Sequence, residues 1–262
     1  MLFSKRRRIN LITRKGITLG EGAPIICVPV VAEKKEEILA QIKALSESGF
    51  SMIEWRADYF DQLKDPDAVR ALLDEARPFL SKTLLLFTIR TKAQGGQAEL
   101  GEKLIANLEA LAAGHTAVDL VDMEYLEFQR PDKHIRRLKK QDCIIIASHH
   151  DFSKTPDPDI LKKLVAHMYA DGSDIAKIAV MPESKADVLK ILELTNAVHC
   201  EWPDKLFVSM SMGGIGSISR ICGEVFGSCI TFGSVNKASA PGQIEAGKLT
   251  QILDVIHESL EK

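Results

Sequence analysis

Val28-Pro29-Val30-Val31-Ala32-Glu33 leads out of the first long apolar run and into a polar segment with helical spacing, and it contains no glycine. That absence separates two ways of covering a parallel sheet with helices. A doubly wound open sheet that binds a nucleotide needs a glycine-rich turn after its first strand, where backbone N–H groups meet a phosphate. A closed barrel needs none, and a barrel is the fold expected here. The rest of the chain keeps one rhythm. Apolar runs fall at 25–30, 52–56, 83–88, 117–123, 143–148, 175–180, 206–211 and 228–231. Helix-spaced segments follow them at 34–48, 66–79, 99–113, 132–140, 157–169, 185–198, 217–226 and 242–258. Such alternation builds βα units around parallel strands. Eight units close a (β/α)8 barrel, whose usual length of about 250 residues suits this chain of 262.

The punctuation agrees with these elements. Gly49 and Gly172 stop helices, while Asp65-Pro66 and Thr155-Pro156 read as helix entries with the cap before the proline. Residues 8–13 and 17–19 flank Lys15-Gly16 as a short hairpin able to plug the barrel bottom. No low-complexity linker divides the chain, so residues 1–262 are read as one barrel domain carrying 1–24 as an N-terminal extension.

Composition narrows the class. The chain is 45% hydrophobic and 27% charged with a formal net charge of -2, values of an ordinary globular protein with no pull toward nucleic acid or anionic membranes. The basic run Lys5-Arg6-Arg7-Arg8 stands without aromatic neighbours or a wider basic patch and reads as a solvated tail. The five cysteines form no C-x-x-C pair, a usage that fits a reduced cytoplasmic protein. No run is long enough for a membrane span, and no signal-peptide pattern opens the chain.

In a parallel barrel the chemistry sits at the C-terminal ends of the strands, and residues two apart share a face. On Asp174-Ile175-Ala176-Lys177-Ile178-Ala179-Val180 a lysine interrupts an apolar strand. Pointed inward, Lys177 loses hydration and is expected to become a neutral, nucleophilic amine; the bland alternative is a lysine that snorkels from an outer face. The neighbouring run ends Ser148-His149-His150-Asp151. Adjacent histidines on a strand face opposite ways, which argues against a shared metal and leaves one imidazole at the mouth for acid–base work. Glu54 and Arg56 share a face and are expected to point inward as a charged pair or toward a polar ligand. Arg90 ends the third strand. Asp122 and Glu124 share a face of the fourth, where one of them would orient the lysine or the histidine. Met210 and Met212 pack around an apolar part of a ligand or simply fill the core. Arg220, expected in the first turn of the 217–226 helix after Gly213-Gly214-Ile215-Gly216, suits a carboxylate by bidentate pairing.

Taken together these residues resemble the type I 3-dehydroquinate dehydratases of the shikimate pathway. The resemblance runs through Gly20-Glu21-Gly22-Ala23-Pro24, Glu54-Trp55-Arg56-Ala57-Asp58, Ser148-His149-His150-Asp151-Phe152 and Lys177-Ile178-Ala179-Val180-Met181-Pro182. It closes with Ser219-Arg220 and with Phe232-Gly233-Ser234-Val235 leading to Ala238-Ser239-Ala240-Pro241-Gly242-Gln243. It implies an eight-stranded barrel, usually a homodimer, that binds the small molecule 3-dehydroquinate and uses no cofactor and no metal. Carried over residue by residue, it implies that Lys177 forms an imine and His150 is the general acid–base. Glu54, Arg56 and Arg90 would bind substrate, Arg220 would hold its carboxylate, and Ser239 and Gln243 would sit on a closing loop. Gln94, Asp122, Met210 and Met212 would stand behind these groups. One departure is present: the family carries a glutamate where Gln94 stands, close to the histidine. A missing negative charge there makes the imidazolium of His150 less favourable. The readings left beside this one are a class I aldolase acting on a sugar phosphate and a ligand-binding barrel without catalysis.

Overall fold

A computed structural model of the chain describes residues 11–235 and 240–261. The Lys5–Arg8 run, positions 8–10 of the expected hairpin and Ser239 lie outside the described residues. The hairpin itself is present as β1 (Ile12–Arg14) paired antiparallel with β2 (Ile17–Leu19).

Eight parallel strands follow in chain order: β3 (Ile25–Val30), β4 (Met52–Arg56), β5 (Leu84–Thr88), β6 (Leu120–Glu124), β7 (Ile144–Asp151), β8 (Ile175–Val180), β9 (Leu206–Ser211) and β10 (Ile230–Ser234). The ladder closes between β9 and β10 through a parallel bridge of Phe207 with Ser228, where Cys229 N donates to Phe207 O at 2.9 Å. A two-residue strand, β11 (Ile244–Glu245), continues the pairing along the C-terminal half of β10. Helices α1 (Lys35–Glu47), α2 (Pro66–Ala76), α3 (Glu102–Ala113), α4 (Pro131–Leu138), α5 (Pro158–Ala170), α6 (Lys185–Glu201), α7 (Gly223–Phe226) and α8 (Ala246–Leu260) link the strands. None of the helices among the described residues is long and apolar enough to cross a membrane.

Strand alternation sorts the apolar residues into two layers. On β7, Ile145 and Ala147 face the helices while Ile144 and Ile146 face the barrel axis. The outer layer holds Trp55, edge-on to Phe60 and Phe87, together with helix faces such as Ile38, Ile42 and Leu45 of α1. The inner layer is shut from below by the hairpin: Leu19 is fully buried, and Ile12 and Ile17 pack on the same cluster. Burying one such side chain is worth about 1.5–3 kcal/mol. Ion pairs from Arg14 to Asp142 (2.6 Å) and from Lys15 to Asp119 (2.7 Å) set the hairpin's orientation.

Three local expectations differ from what is found. The fifth helix is entered at Asp157-Pro158, because the Asp157 carboxylate accepts from Asp159 N; the Thr155 hydroxyl donates instead to Met181 O. The expected 217–226 helix is split into a 3-10 turn, Ser217–Arg220, and α7. Within that turn Ser219 Oγ accepts from Ser211 N and donates to Gly216 O, local bonds that compete with a continuous helix. The last helix starts at Ala246, later than expected, since 244–245 pair with β10 and Glu245 caps the helix by accepting from Gly247 N and Lys248 N.

Candidate active site

On β4, β5, β6 and β7 the inner apolar layer gives way to polar and charged side chains toward the C-terminal ends of the strands, whereas Ala179, Met210 and Phe232 continue it on β8, β9 and β10. The register sets Glu124, Ser148 and Lys177 side by side on β6, β7 and β8, while Arg56, Thr88 and Asp122 align on β4, β5 and β6. Above them opens a cleft of about 450 Å³, counting the solvent space at its mouth. Its walls include Glu54, Arg56, Arg90, Gln94, His150 and Lys177 on one side, and Met210, Met212, Arg220 and Gln243 on the other. Every site residue expected from the sequence therefore lines this cleft except three: Asp122, which lies beneath Lys177, Glu124, which is bonded to Arg90, and Ser239, which is not described.

Lys177 is 3% exposed and points inward. Its Nζ donates to Asp122 Oδ2 at 2.8 Å and stands 4.4 Å from the centre of the Phe232 ring. Of the two carboxylates expected to orient the lysine or the histidine, Asp122 is the one that holds Lys177, which reaches back across β7 into an ion pair. Asp122 also accepts from Arg90 Nη2 at 2.8 Å and from the Ser148 hydroxyl at 2.5 Å, and Arg90 Nη1 donates to Glu124 at 2.9 Å. Burial opposes ionisation of Asp122, but Arg90 and Lys177 outweigh it and hold the carboxyl well below the usual carboxylate range. A buried ionic cluster of this kind is weak support for a fold compared with apolar packing.

Strand parity places His150 at the cleft and turns His149 away from it, beside the α-helical layer. Gln94 Oε1 accepts from the His150 backbone N–H at 2.9 Å and lies 3.2 Å from His150 Nδ1. At the other end of the amide, Gln94 Nε2 donates to Glu127 Oε1 at 3.1 Å. These partners fix the amide's orientation. A flip would set two donors face to face at His150 and two acceptors face to face at Glu127, and an unmade hydrogen bond at a buried group costs about 1–3 kcal/mol. With the amide oxygen at Nδ1, that nitrogen carries the proton and Nε2 keeps its lone pair. Burial pushes the imidazole well below its ordinary range, with Arg90 and Lys177 acting in the same direction.

Arg56 corrects an expectation. It pairs with Asp58, not Glu54, through two 2.8 Å bonds, because the 3-10 turn Ala57–Tyr59 folds the Asp58 carboxylate back beside the guanidinium. Glu54 instead accepts from the Thr88 hydroxyl at 2.9 Å. Arg220 sits in the 3-10 turn and is 1% exposed. Its Nη2 donates to Pro241 O at 3.0 Å and its Nη1 to Met210 Sδ at 3.7 Å, while Nε has no partner among the described residues. Burial pushes this guanidinium down to about 10, and no carboxylate is found among its bonded partners. The described end of the last loop leans on the turn after β9: Gly213 N donates to Pro241 O at 3.2 Å. At Gly242, with φ +76, a Cβ would fall 2.2 Å from Gly213 O, so only glycine allows that approach.

Two aromatic residues of the cleft were given no role in the sequence reading. Phe232 underlies Lys177, and alternation from the inward Ile230 would have found it. Phe152 covers the Gln94 loop, and nothing in its polar surroundings pointed there. Among the described residues, no group of three or more His, Cys, Asp or Glu side chains is arranged to hold a metal ion.

Known proteins resemble this chain along nearly all of its length. The family model for type I 3-dehydroquinase matches residues 26–260. The 3-dehydroquinate dehydratase of Listeria innocua serovar 6a is 40% identical over 251 residues, covering 95% of this chain and 99% of that protein. The enzyme of the same name from Clostridioides difficile strain 630 is 37% identical over 247 residues, 94% of this chain and 97% of the other. A crystal structure of a type I 3-dehydroquinate dehydratase from Clostridium difficile, with covalently modified comenic acid, superimposes with a TM-score of 0.92 at 36% identity, covering 96% of this chain and 100% of that one. The 3-dehydroquinate dehydratase structure from Geobacillus kaustophilus HTA426 gives 0.91 at 33% identity, with 95% and 96% coverage.

Proposed function

The chain belongs to the type I 3-dehydroquinase family, and from that premise we propose that it dehydrates 3-dehydroquinate to 3-dehydroshikimate, in the shikimate pathway, through an imine on Lys177. The observation that carries the reading is one cleft in which a buried amine, an imidazole with a free Nε2 and a guanidinium without a carboxylate meet.

The steps follow from those groups. Lys177 Nζ passes a proton to solvent water and attacks the C3 ketone; a proton returned to the carbinolamine hydroxyl lets it leave as water, and an iminium remains. The positive charge that Asp122 balanced as an ammonium is kept as iminium, so the pairing survives the bond change. The iminium draws electrons from C2, and Nε2 of His150 takes the C2 proton, leaving an enamine. The enamine electrons return toward C1 and expel its hydroxyl, which leaves as water with the proton from His150. Water then hydrolyses the imine and frees Lys177. Arg220 anchors the substrate carboxylate, with Glu54, Arg56, Arg90 and Gln243 lining the space for its ring and hydroxyls, which is an orientation effect. Cytoplasmic residence and assembly as a homodimer belong to the same proposal.

The direct test is turnover: 3-dehydroquinate is expected to be converted to a conjugated enone, followed by its ultraviolet absorbance, while sugar phosphates give no carbon–carbon cleavage. No enone from 3-dehydroquinate would reject the reading. Two further expectations attach to named groups. Arg220→Met removes one side of a buried charge pair at a cost of about 2–5 kcal/mol, so KM rises by roughly 30-fold or more. The melting temperature holds or climbs, because a desolvated guanidinium has gone; a KM within threefold would remove Arg220 from the carboxylate site. For pH, His150 must be neutral to accept the C2 proton. With substrate saturating, Lys177 is already bound as imine, so the acid limb of kcat reports His150. Its lowered pKa carries activity down through pH 6.5, and the limb falls below that value. A midpoint at or above 6.5 would contradict the enclosed imidazole.

A further inference from the structure

His150 is held by a side chain that is itself held. Gln94 lies in the 3-10 turn Lys92–Gln94, and the loop around it is tightly built: Gly95 has φ +80, and a Cβ there would fall 2.3 Å from the Phe152 ring. From this loop the amide oxygen meets the His150 N–H and Nδ1, and the amide nitrogen meets Glu127 Oε1 at 3.1 Å. Glu127 is exposed at the end of the 3-10 turn Tyr125–Glu127, beyond the strand that carries Asp122. Its carboxylate accepts only, so it can bond only the N–H side of the amide.

We propose that Glu127 is a positioning residue for His150, acting through Gln94: the carboxylate pins the amide so that its oxygen keeps the proton on Nδ1 and leaves Nε2 free as the base. The inference rests on the reading that His150 moves the C2 proton. A neutral amide thereby does the orienting, and the negative charge stands one side chain further out. The other charged or titratable groups that face the imidazole are Arg90 from the end of β5, Asp122 on β6, Lys177 on β8, and His149 on its own strand. None of these bonds the amide of Gln94 in place of Glu127.

The arrangement makes positions 94 and 127 interdependent. Gln94→Glu restores a carboxylate to His150 but turns its second oxygen toward Glu127, acceptor against acceptor. The test is a double-mutant cycle of Glu127→Ala and Gln94→Glu, read in kcat and in the 15N shifts of the His150 ring. In the unmodified chain, Glu127→Ala is expected to lower kcat by roughly 3–10-fold at unchanged KM and to shift the ring from pure Nδ1–H toward a mixture of tautomers. Glu127→Gln, which keeps an acceptor, recovers most of the loss. In the Gln94→Glu background, Glu127→Ala leaves kcat unchanged or raises it. Equal fold-effects in both backgrounds, or no effect on kcat and ring shifts in the unmodified chain, would overturn the role of Glu127. The ring shifts need no turnover, and borohydride trapping on Lys177 is run alongside. An adduct with unmoved ring shifts sinks this inference alone, whereas no adduct with any variant counts against the dehydratase reading and leaves the tautomer result to decide Glu127.

Discussion

Lys177→Met is expected to abolish turnover, with kcat reduced on the order of 10⁴-fold to 10⁶-fold, the scale seen when a covalent nucleophile is lost. Methionine keeps most of the stem's length and apolar packing against the barrel interior. What it removes is the nitrogen 2.8 Å from Asp122 and 4.4 Å from the centre of the Phe232 ring. Without an iminium, the C2 proton is no more acidic than in any ketone, and no other amine stands in the wall of this cleft among the described residues. The fold should survive. Asp122 retains Arg90 at 2.8 Å and Ser148 at 2.5 Å, so its carboxylate is not stranded, and the loss is held to about 1–3 kcal/mol. Circular dichroism melting and an enone assay check both halves. Activity within tenfold of the unmodified chain would mean that the reaction does not run through this amine.

His150→Ala has the next largest effect, a fall in kcat of about 10²-fold to 10⁴-fold, the range of a positioned general base. Its signature differs from that of the lysine change. Asp122 and Phe232 still hold Lys177, so the amine still reaches a ketone and borohydride still traps an adduct, but the adduct does not go on to product. The acid limb of the pH profile attributed to His150 disappears from the residual activity. A variant that neither traps nor turns over would place His150 in imine formation itself.

Much of this was legible in the chain. Eight apolar runs and a first turn without glycine point to a closed barrel; alternation separates His150 from His149, while the inward Lys177 followed from a barrel having no free edge and helices over its outer face. What the rule of two could not reach lay where strands end or where a contact crosses a neighbour. Arg56 finds Asp58 because the chain leaves β4 in a 3-10 turn, and alternation no longer applies there. That Lys177 finds Asp122 and not Glu124, two strands away, is set by the stagger of a closed barrel. The 217–226 segment breaks because Ser219 bonds its own backbone neighbours, a choice propensity does not record. Glu127 looked like any surface carboxylate; only the position of the Gln94 amide gives it a partner in the site.

The central claim is a covalent bond between Lys177 and the substrate ketone. Mass spectrometry of the protein after borohydride reduction in the presence of 3-dehydroquinate tests it most directly. The expected result is a single substrate-derived increment on the peptide containing Lys177, absent in Lys177→Met. A reduced protein of unchanged mass that still produces enone, or an increment on a different lysine, would contradict it.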